Sequence, residues 1–194
     1  MNFLINIILD LLFPRRCPVC GQIVMPKGSL ICPGCVKKLS WVRGPVCKCC
    51  GKEIISGTME YCPDCAAHPR SFSHGMALFN YNEISAPSLA MVKYHDRREY
   101  LDFYAEAAYR RYAKTIARLS PDLIIPVPVH KSRLKKRGFN QAEEFGKRLS
   151  GYLGIPMSSE YLIRSKKTAP QKDLGPALRL KNLEQAFFCK NLPS

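Results

Sequence analysis

Hydrophobic positions at the N-terminus recur every three to four residues. Within residues 1–12, apolar side chains occupy one side of a predicted helix, and Asn2 and Asp10 occupy the other. The run is too short to span a bilayer. No positive charge precedes it, whereas Arg15 and Arg16 follow it, which is the wrong charge order for an export signal. We therefore predict a cytoplasmic protein that begins with a short amphipathic helix, packed on the protein itself, on a partner or on a membrane surface.

From residue 71 onward, helical and strand-like segments alternate, which is typical of an α/β fold. Helical spacing predicts helices over residues 84–93, 98–119, 139–152 and 173–183. Short apolar runs predict extended segments over residues 72–81, 121–129, 157–163 and 186–188. The aliphatic run 121–129 is bounded by prolines, so we predict a buried parallel strand that ends at a rigid turn. The domain limits predicted from this change of pattern are 1–70 and 71–194.

Residues 17–65 contain eight cysteines in a duplicated pattern, C-x2-C-x11-C-x2-C, and the second copy lies thirty positions after the first (47 − 17 = 30). Each C-x2-C pair is typical of a tight turn whose two thiolates point at one ion, and two such pairs make a tetrahedral site of the zinc-ribbon type. Four thiolates close the coordination shell, so we predict two structural Zn²⁺ ions; disulfides and an iron–sulfur cluster remain the alternatives. The predicted metal ligands are Cys17, Cys20, Cys32 and Cys35 in the first copy, and Cys47, Cys50, Cys62 and Cys65 in the second.

Two features of the ribbon region have competing interpretations. Cys49 is surplus to the repeat, either as a spectator thiol or as a substitute for Cys50. Trp41, with basic residues nearby, suits a face that binds single strands. The alternative is a packed tryptophan among scattered surface lysines.

The chain carries a formal net charge of +15, and it contains ten cysteines. A balance this basic favours a polyanion or a phosphate-rich ligand, with a solvated basic surface as the alternative. Two basic segments, 130–141 and 164–171, each follow a predicted strand. Ligands in open α/β sheets bind beyond the carboxyl ends of strands, so these segments suit phosphate, pyrophosphate or single-stranded nucleic acid.

The order of these parts resembles the ComF family of bacterial competence-associated proteins. The resemblance rests on LLFPRRCPVCG near the start, the paired cysteine turns, PVPVHKSRLKKRGFNQA at 126–142, and Arg164, Thr168 and Gln171. It implies a double zinc ribbon followed by a Rossmann-like, mostly parallel domain of the type I phosphoribosyltransferase kind. Within that domain it assigns segment 126–137 to the pyrophosphate-contacting loop and segment 164–179 to a mobile covering loop. The residues we select on this basis for phosphate or pyrophosphate binding are Lys93, Lys131, Arg133, Arg137, Arg164, Lys166 and Lys167.

One part of the transferase pattern is missing from the sequence. Type I phosphoribosyltransferases carry an aliphatic strand, two adjacent acidic residues and a Thr-Thr-Gly turn. The only adjacent acidic pair here, Glu143-Glu144, lies at the start of a predicted helix, and the chain has no Thr-Thr. The resemblance therefore implies a family member shortened at its C-terminus, before the motif that binds phosphoribosyl pyrophosphate. Catalytic residues cannot be named, and Mg²⁺ with phosphoribosyl pyrophosphate is expected only if the full-length domain is active.

Three functions follow as hypotheses. The first is a ComF-type protein that supports single-stranded DNA uptake or processing in competence on a transferase-like scaffold. The second is an active phosphoribosyltransferase, and the third is a zinc-ribbon module that docks on a competence DNA helicase.

Overall fold

The computed structural model describes residues 12–169 and 174–190. The chain divides into two compact units, Met1–Met91 and Val92–Ser194. The domain limit predicted at residue 70 stays a prediction. The predicted N-terminal amphipathic helix lies almost entirely outside the described residues. In the described part of the chain, no helix is long and apolar enough to cross a membrane.

The N-terminal unit consists of two ribbons built on the same backbone plan. In the first, Arg16 and Ile23 form an antiparallel bridge, and α1 (Pro33–Val36) follows. In the second, Val46 and Glu53 form the bridge, and α2 (Pro63–Ala67) follows. Each helix begins at a proline, which is favourable because the first helical N–H has no partner within the helix.

The apolar cores of the ribbons are small and consist mainly of cysteines. Cys17 and Cys35 cluster with Val24 in the first ribbon, while Ile54 joins three buried cysteines in the second. Clusters of this size cannot offset the entropy of ordering about fifty residues. The ribbons therefore depend on bound metal for their stability.

Residues 78–80 return to the segment 40–42 and complete the N-terminal unit. Val42 N–H donates to Leu78 O over 3.3 Å, and Asn80 N–H donates to Ser40 O over 2.8 Å. The predicted strand over 72–81 is thus reduced to a single bridge between Trp41 and Phe79. The next element is α3 (Ser85–Tyr94), whose bounds differ by one residue at each end from those of the predicted helix 84–93. The limit between the two units falls within α3.

The C-terminal unit is built on two packed helices, α4 (Tyr100–Leu119) and α6 (Gln141–Leu153). Arg148 of α6 donates to Asp102 of α4 over 2.5 Å, and also contacts Glu144. Along the chain, α5 (Lys131–Arg137) comes between these two helices, within the segment that the ComF resemblance assigns to a loop. His130 accepts a hydrogen bond from Ser132 N–H at its start, and Gly138 ends it in the left-handed region at φ +84°.

The sheet of the C-terminal unit differs from the prediction. β1 (Leu162–Arg164) and β2 (Phe187–Cys189), which flank α7 (Pro176–Leu183), form an antiparallel pair. Parallel pairing within the described residues is limited to one bridge between Ile124 and Met157. The prolines at 121, 126 and 128 explain this in part, because each removes a backbone N–H that a strand ladder needs. The described structure is therefore a mixed fold of helices and small sheets, and not a mostly parallel sheet.

Candidate metal centres and arginine cluster

The structure brings the eight predicted metal ligands together as two separate sets of four. Within each set the sulfur atoms all lie within 4.8 Å of one another. The Sγ atoms of Cys50 and Cys62 are 3.8 Å apart. A zinc–sulfur bond of about 2.3 Å in a tetrahedral site places sulfurs about 3.8 Å apart, so the geometry fits the metal. The sets are Cys17, Cys20, Cys32 and Cys35, and Cys47, Cys50, Cys62 and Cys65.

Backbone geometry prepares each set for the ion. The Cys17 and Cys47 N–H groups donate to Gln22 O and Lys52 O over 2.8 Å, and these bonds close the turn that carries the first two ligands. Gly21 and Gly51 occupy the left-handed region in these turns, at φ +70° and +71°. The two turns are therefore superimposable copies, as the thirty-residue repeat predicted.

In each site, hydrogen bonds from the backbone lower the pKa of one thiol. Burial opposes ionisation of Cys17, but the backbone N–H groups of Cys20, Cys32 and Val19 lower the pKa of this thiol to about 7. At Cys47 burial is likewise outweighed by hydrogen bonds from the backbone, which lower its pKa to about 6. Burial raises the pKa of Cys35 to about 12. Zinc binds thiolates, so metal binding releases the remaining protons from each set.

The coordination shell of each site is closed by four sulfurs, so the metal has no open position for substrate. The two sites accordingly fit two structural Zn²⁺ ions. Cys49 is not a member of either set, although it packs against the core of the second ribbon. The ring of Trp41 packs against that of Phe79 at a tilt of 54°, with the ring centroids 4.5 Å apart, and its indole N–H donates to Val36 O. Trp41 is therefore a packed residue of the N-terminal unit.

Three of the predicted phosphate-binding residues form a group in the C-terminal unit, which we call the arginine cluster: Arg133, Arg137 and Arg164. Arg133 donates to Thr168 O over 3.0 Å, and Arg164 donates to the Thr168 hydroxyl. Burial and the positive field of Arg133 lower the pKa of both Arg137 and Arg164. Arg133 thus lies close enough to repel both of the other two guanidinium groups.

Aromatic rings support two members of the arginine cluster. Arg137 lies over the Tyr94 ring at 5.7 Å and donates to Gln141. Arg164 lies over the Phe187 ring at 5.2 Å. The buried Nε of Arg164 has no hydrogen-bond partner among the described residues.

The remaining predicted phosphate-binding residues are placed differently. Lys131, Lys166 and Lys167 are exposed, and Lys93 is partly buried in α3. Thr168 was not among the selected residues, although it is buried and joins two arginines. No sequence periodicity marks it, because its contact with Arg133 spans 35 residues.

Comparison with known proteins identifies relatives over most of the chain. Residues 8–66 match the double zinc ribbon domain family. Competence protein F of Haemophilus influenzae is 31% identical over 179 residues, which cover 90% of this chain and 76% of that protein. The chain belongs to the ComF family.

Other members of the ComF family are more distant. DNA utilization protein YhgH of Escherichia coli K12 is 26% identical, over 90% of this chain and 77% of that protein. Competence protein ComFC of Bacillus subtilis is 23% identical, over 85% and 71%. No solved structure matches the chain. The predicted resemblance to the ComF family is therefore confirmed from sequence relatives, while the transferase-like domain stays a proposal.

Proposed function

We propose that this chain is a cytoplasmic ComF-type protein that supports the uptake or processing of single-stranded DNA in competence. The names of its relatives, which refer to competence and to DNA utilization, support this role. The structural observation that carries the proposal is the arginine cluster. Planar guanidinium groups bind phosphate oxygens through paired hydrogen bonds, and single-stranded DNA presents phosphates in a regular row.

The arginine cluster suits an anion for two physical reasons. The positive charge of Arg133 repels those of Arg137 and Arg164, so a bound phosphate lowers this repulsion. The net charge of +15 adds long-range attraction toward a polyanion.

Replacing Arg133 by glutamine tests the arginine cluster. We expect Arg133→Gln to raise the Kd for a fluorescein-labelled oligo(dT) of about twenty nucleotides at least about tenfold, measured by anisotropy at low salt. The expected loss is that of one charge-assisted hydrogen bond to phosphate, about 1.5–3 kcal/mol. Arg110→Gln is the matched control, because Arg110 is exposed on α4 and pairs with Glu106. Equal losses in both variants would mean that only net charge matters, and would contradict the proposed site.

A second candidate function is a phosphoribosyltransferase-like domain that binds phosphoribosyl pyrophosphate with Mg²⁺. The positions of the three arginines in the chain support it. Arg133 and Arg137 lie in the segment 126–137, which the ComF resemblance assigns to the pyrophosphate-contacting loop, and Arg164 begins the segment 164–179, which it assigns to the covering loop. Phosphoribosyl pyrophosphate with Mg²⁺, added to the same oligonucleotide titration, separates the candidates. Displacement at a concentration where inorganic pyrophosphate has no effect supports the second candidate. An unchanged Kd contradicts it.

A further inference from the structure

The second ribbon has a cleft of about 420 Å³ beside its metal site. This volume lies within the range of small-ligand sites, about 300–1,000 Å³. Two aromatic side chains line it, and they are 45% and 50% exposed. We call it the ribbon cleft; the lining residues used below are Lys48, Tyr61, Arg70 and Phe72.

The first ribbon provides an internal comparison, because the two copies differ by thirty positions. The counterpart of Tyr61 is Ile31 (61 − 30), and each residue directly precedes the third ligand of its set. Ile31 packs against the core of the first ribbon, whereas Tyr61 is 45% exposed. The same position is thus filled by a packed aliphatic residue in one copy and by an exposed aromatic residue in the other. Stability of the ribbon therefore does not require an aromatic ring there. Phe72 lies after the end of the repeat, is 50% exposed and lines the same cleft.

The cations of the ribbon cleft are also specific to the second ribbon. Lys48 pairs with Glu60, and Arg70 pairs with Asp64. Both carboxylates are about 60% exposed, at 59% and 61%. Exposed ion pairs contribute about 0–1 kcal/mol, so Lys48, which is 62% exposed, can exchange its carboxylate for a phosphate at little cost. Arg70 is 31% exposed and also contacts the Cys65 sulfur, which holds it beside the metal site. No basic residue stands thirty positions before either cation.

We propose that the ribbon cleft binds single-stranded nucleic acid, with one base stacked on Tyr61, one on Phe72 and the adjoining phosphates on Lys48 and Arg70. The proposal rests on the proposed function and adds a second contact with the strand, in the N-terminal unit. Aromatic platforms beside cations bind strands without sequence preference, because every base has a face that stacks. An acidic peptide would use the cations but would leave both rings without a role.

The test uses the full chain and the same labelled oligo(dT). We expect Tyr61→Ala and Phe72→Ala each to raise the Kd at least about fivefold, which is the loss of one stacked base. Tyr61→Phe and Phe72→Tyr keep the ring and should keep the affinity. Tyr81→Ala is the matched control, because Tyr81 is 76% exposed and does not line the cleft. Replacing oligo(dT) by an oligonucleotide without bases should raise the Kd of the wild-type chain by a larger factor than the Kd of Phe72→Ala.

The outcomes separate this proposal from the one on which it rests. If the wild-type chain does not bind oligo(dT), the proposed function fails and the ribbon cleft fails with it. If the wild type binds and both alanine variants bind equally well, only the ribbon cleft is overturned. Zinc content checks folding, since each variant should retain two ions. Tyr61 directly precedes the ligand Cys62, so Tyr61→Ala could disturb the metal site, whereas Phe72 lies seven positions after the last ligand (72 − 65). If Tyr61→Ala loses zinc, the Kd of Phe72→Ala alone decides the result.

Discussion

Replacing Cys50 by serine is expected to reduce the zinc content from two ions per chain to one and to unfold the second ribbon. The apolar cluster of this ribbon is too small to fold alone, so its stability is the free energy of metal binding, about 10–16 kcal/mol in comparable peptides. Native mass spectrometry gives the zinc count. Hydrogen exchange of the amides between Cys47 and Cys65 reports local unfolding.

The adjacent thiol provides the matched control for that experiment. Cys49→Ser should retain two zinc ions, because Cys49 is not among the sulfurs gathered at either site. Two ions in Cys50→Ser would show that Cys49 replaces the missing ligand. Loss of both ions would show that the two sites do not fold independently. The first result would contradict the ligand assignment, and the second would contradict the independence of the two sites.

Replacing Gly51 by alanine is expected to be far more damaging than the equivalent change at Gly21. Both glycines occupy the left-handed region, which costs an alanine about 1–2 kcal/mol. A Cβ at Gly51 would also lie 2.4 Å from Gly75 O and 2.9 Å from Met76 Cα, whereas a Cβ at Gly21 meets nothing within 4 Å. Backbone atoms cannot move aside as side chains do, and overpacking adds about 1–3 kcal/mol. Gly51→Ala should therefore lose about 2–5 kcal/mol of stability in the second ribbon.

Hydrogen exchange measures both glycine variants locally. The Cys47 N–H bonded to Lys52 O reports on the second ribbon, and the Cys17 N–H bonded to Gln22 O reports on the first. We expect a large loss of protection at Cys47 in Gly51→Ala and a small loss at Cys17 in Gly21→Ala. Equal losses would mean that the close approach of Gly75 to the second turn does not occur.

The metal sites could be predicted from the sequence because their chemistry depends on local spacing. Each C-x2-C pair forms its turn from neighbouring residues, and the second copy repeats the first. The close contact between Gly51 and Gly75 could not be predicted, because the ribbon's own sequence pattern does not indicate which later segment packs against its first turn. The same holds for Thr168, whose contact with Arg133 depends on the tertiary fold.

The C-terminal elements were predicted less well, for reasons that individual residues explain. Segment 131–137 is predicted as a loop because it connects a predicted strand to a predicted helix, yet the cap at His130 and the stop at Gly138 favour a short helix. The run 121–129 has the apolar composition of a buried strand, but only Ile124 pairs, with Met157. A prediction from apolar composition therefore overestimates the length of the paired strand, because prolines remove backbone N–H donors that the pairing needs.

Salt dependence of single-strand binding tests the central claim most directly. The full chain is titrated with labelled oligo(dT) at several salt concentrations between low and moderate ionic strength. Because each neutralised phosphate contributes about 0.7 to the slope for a single strand, three contacts at the arginine cluster predict that log Kd rises linearly with log salt with a slope of about two or more. A Kd that does not change with salt, or the absence of saturable binding at low salt, would contradict the account.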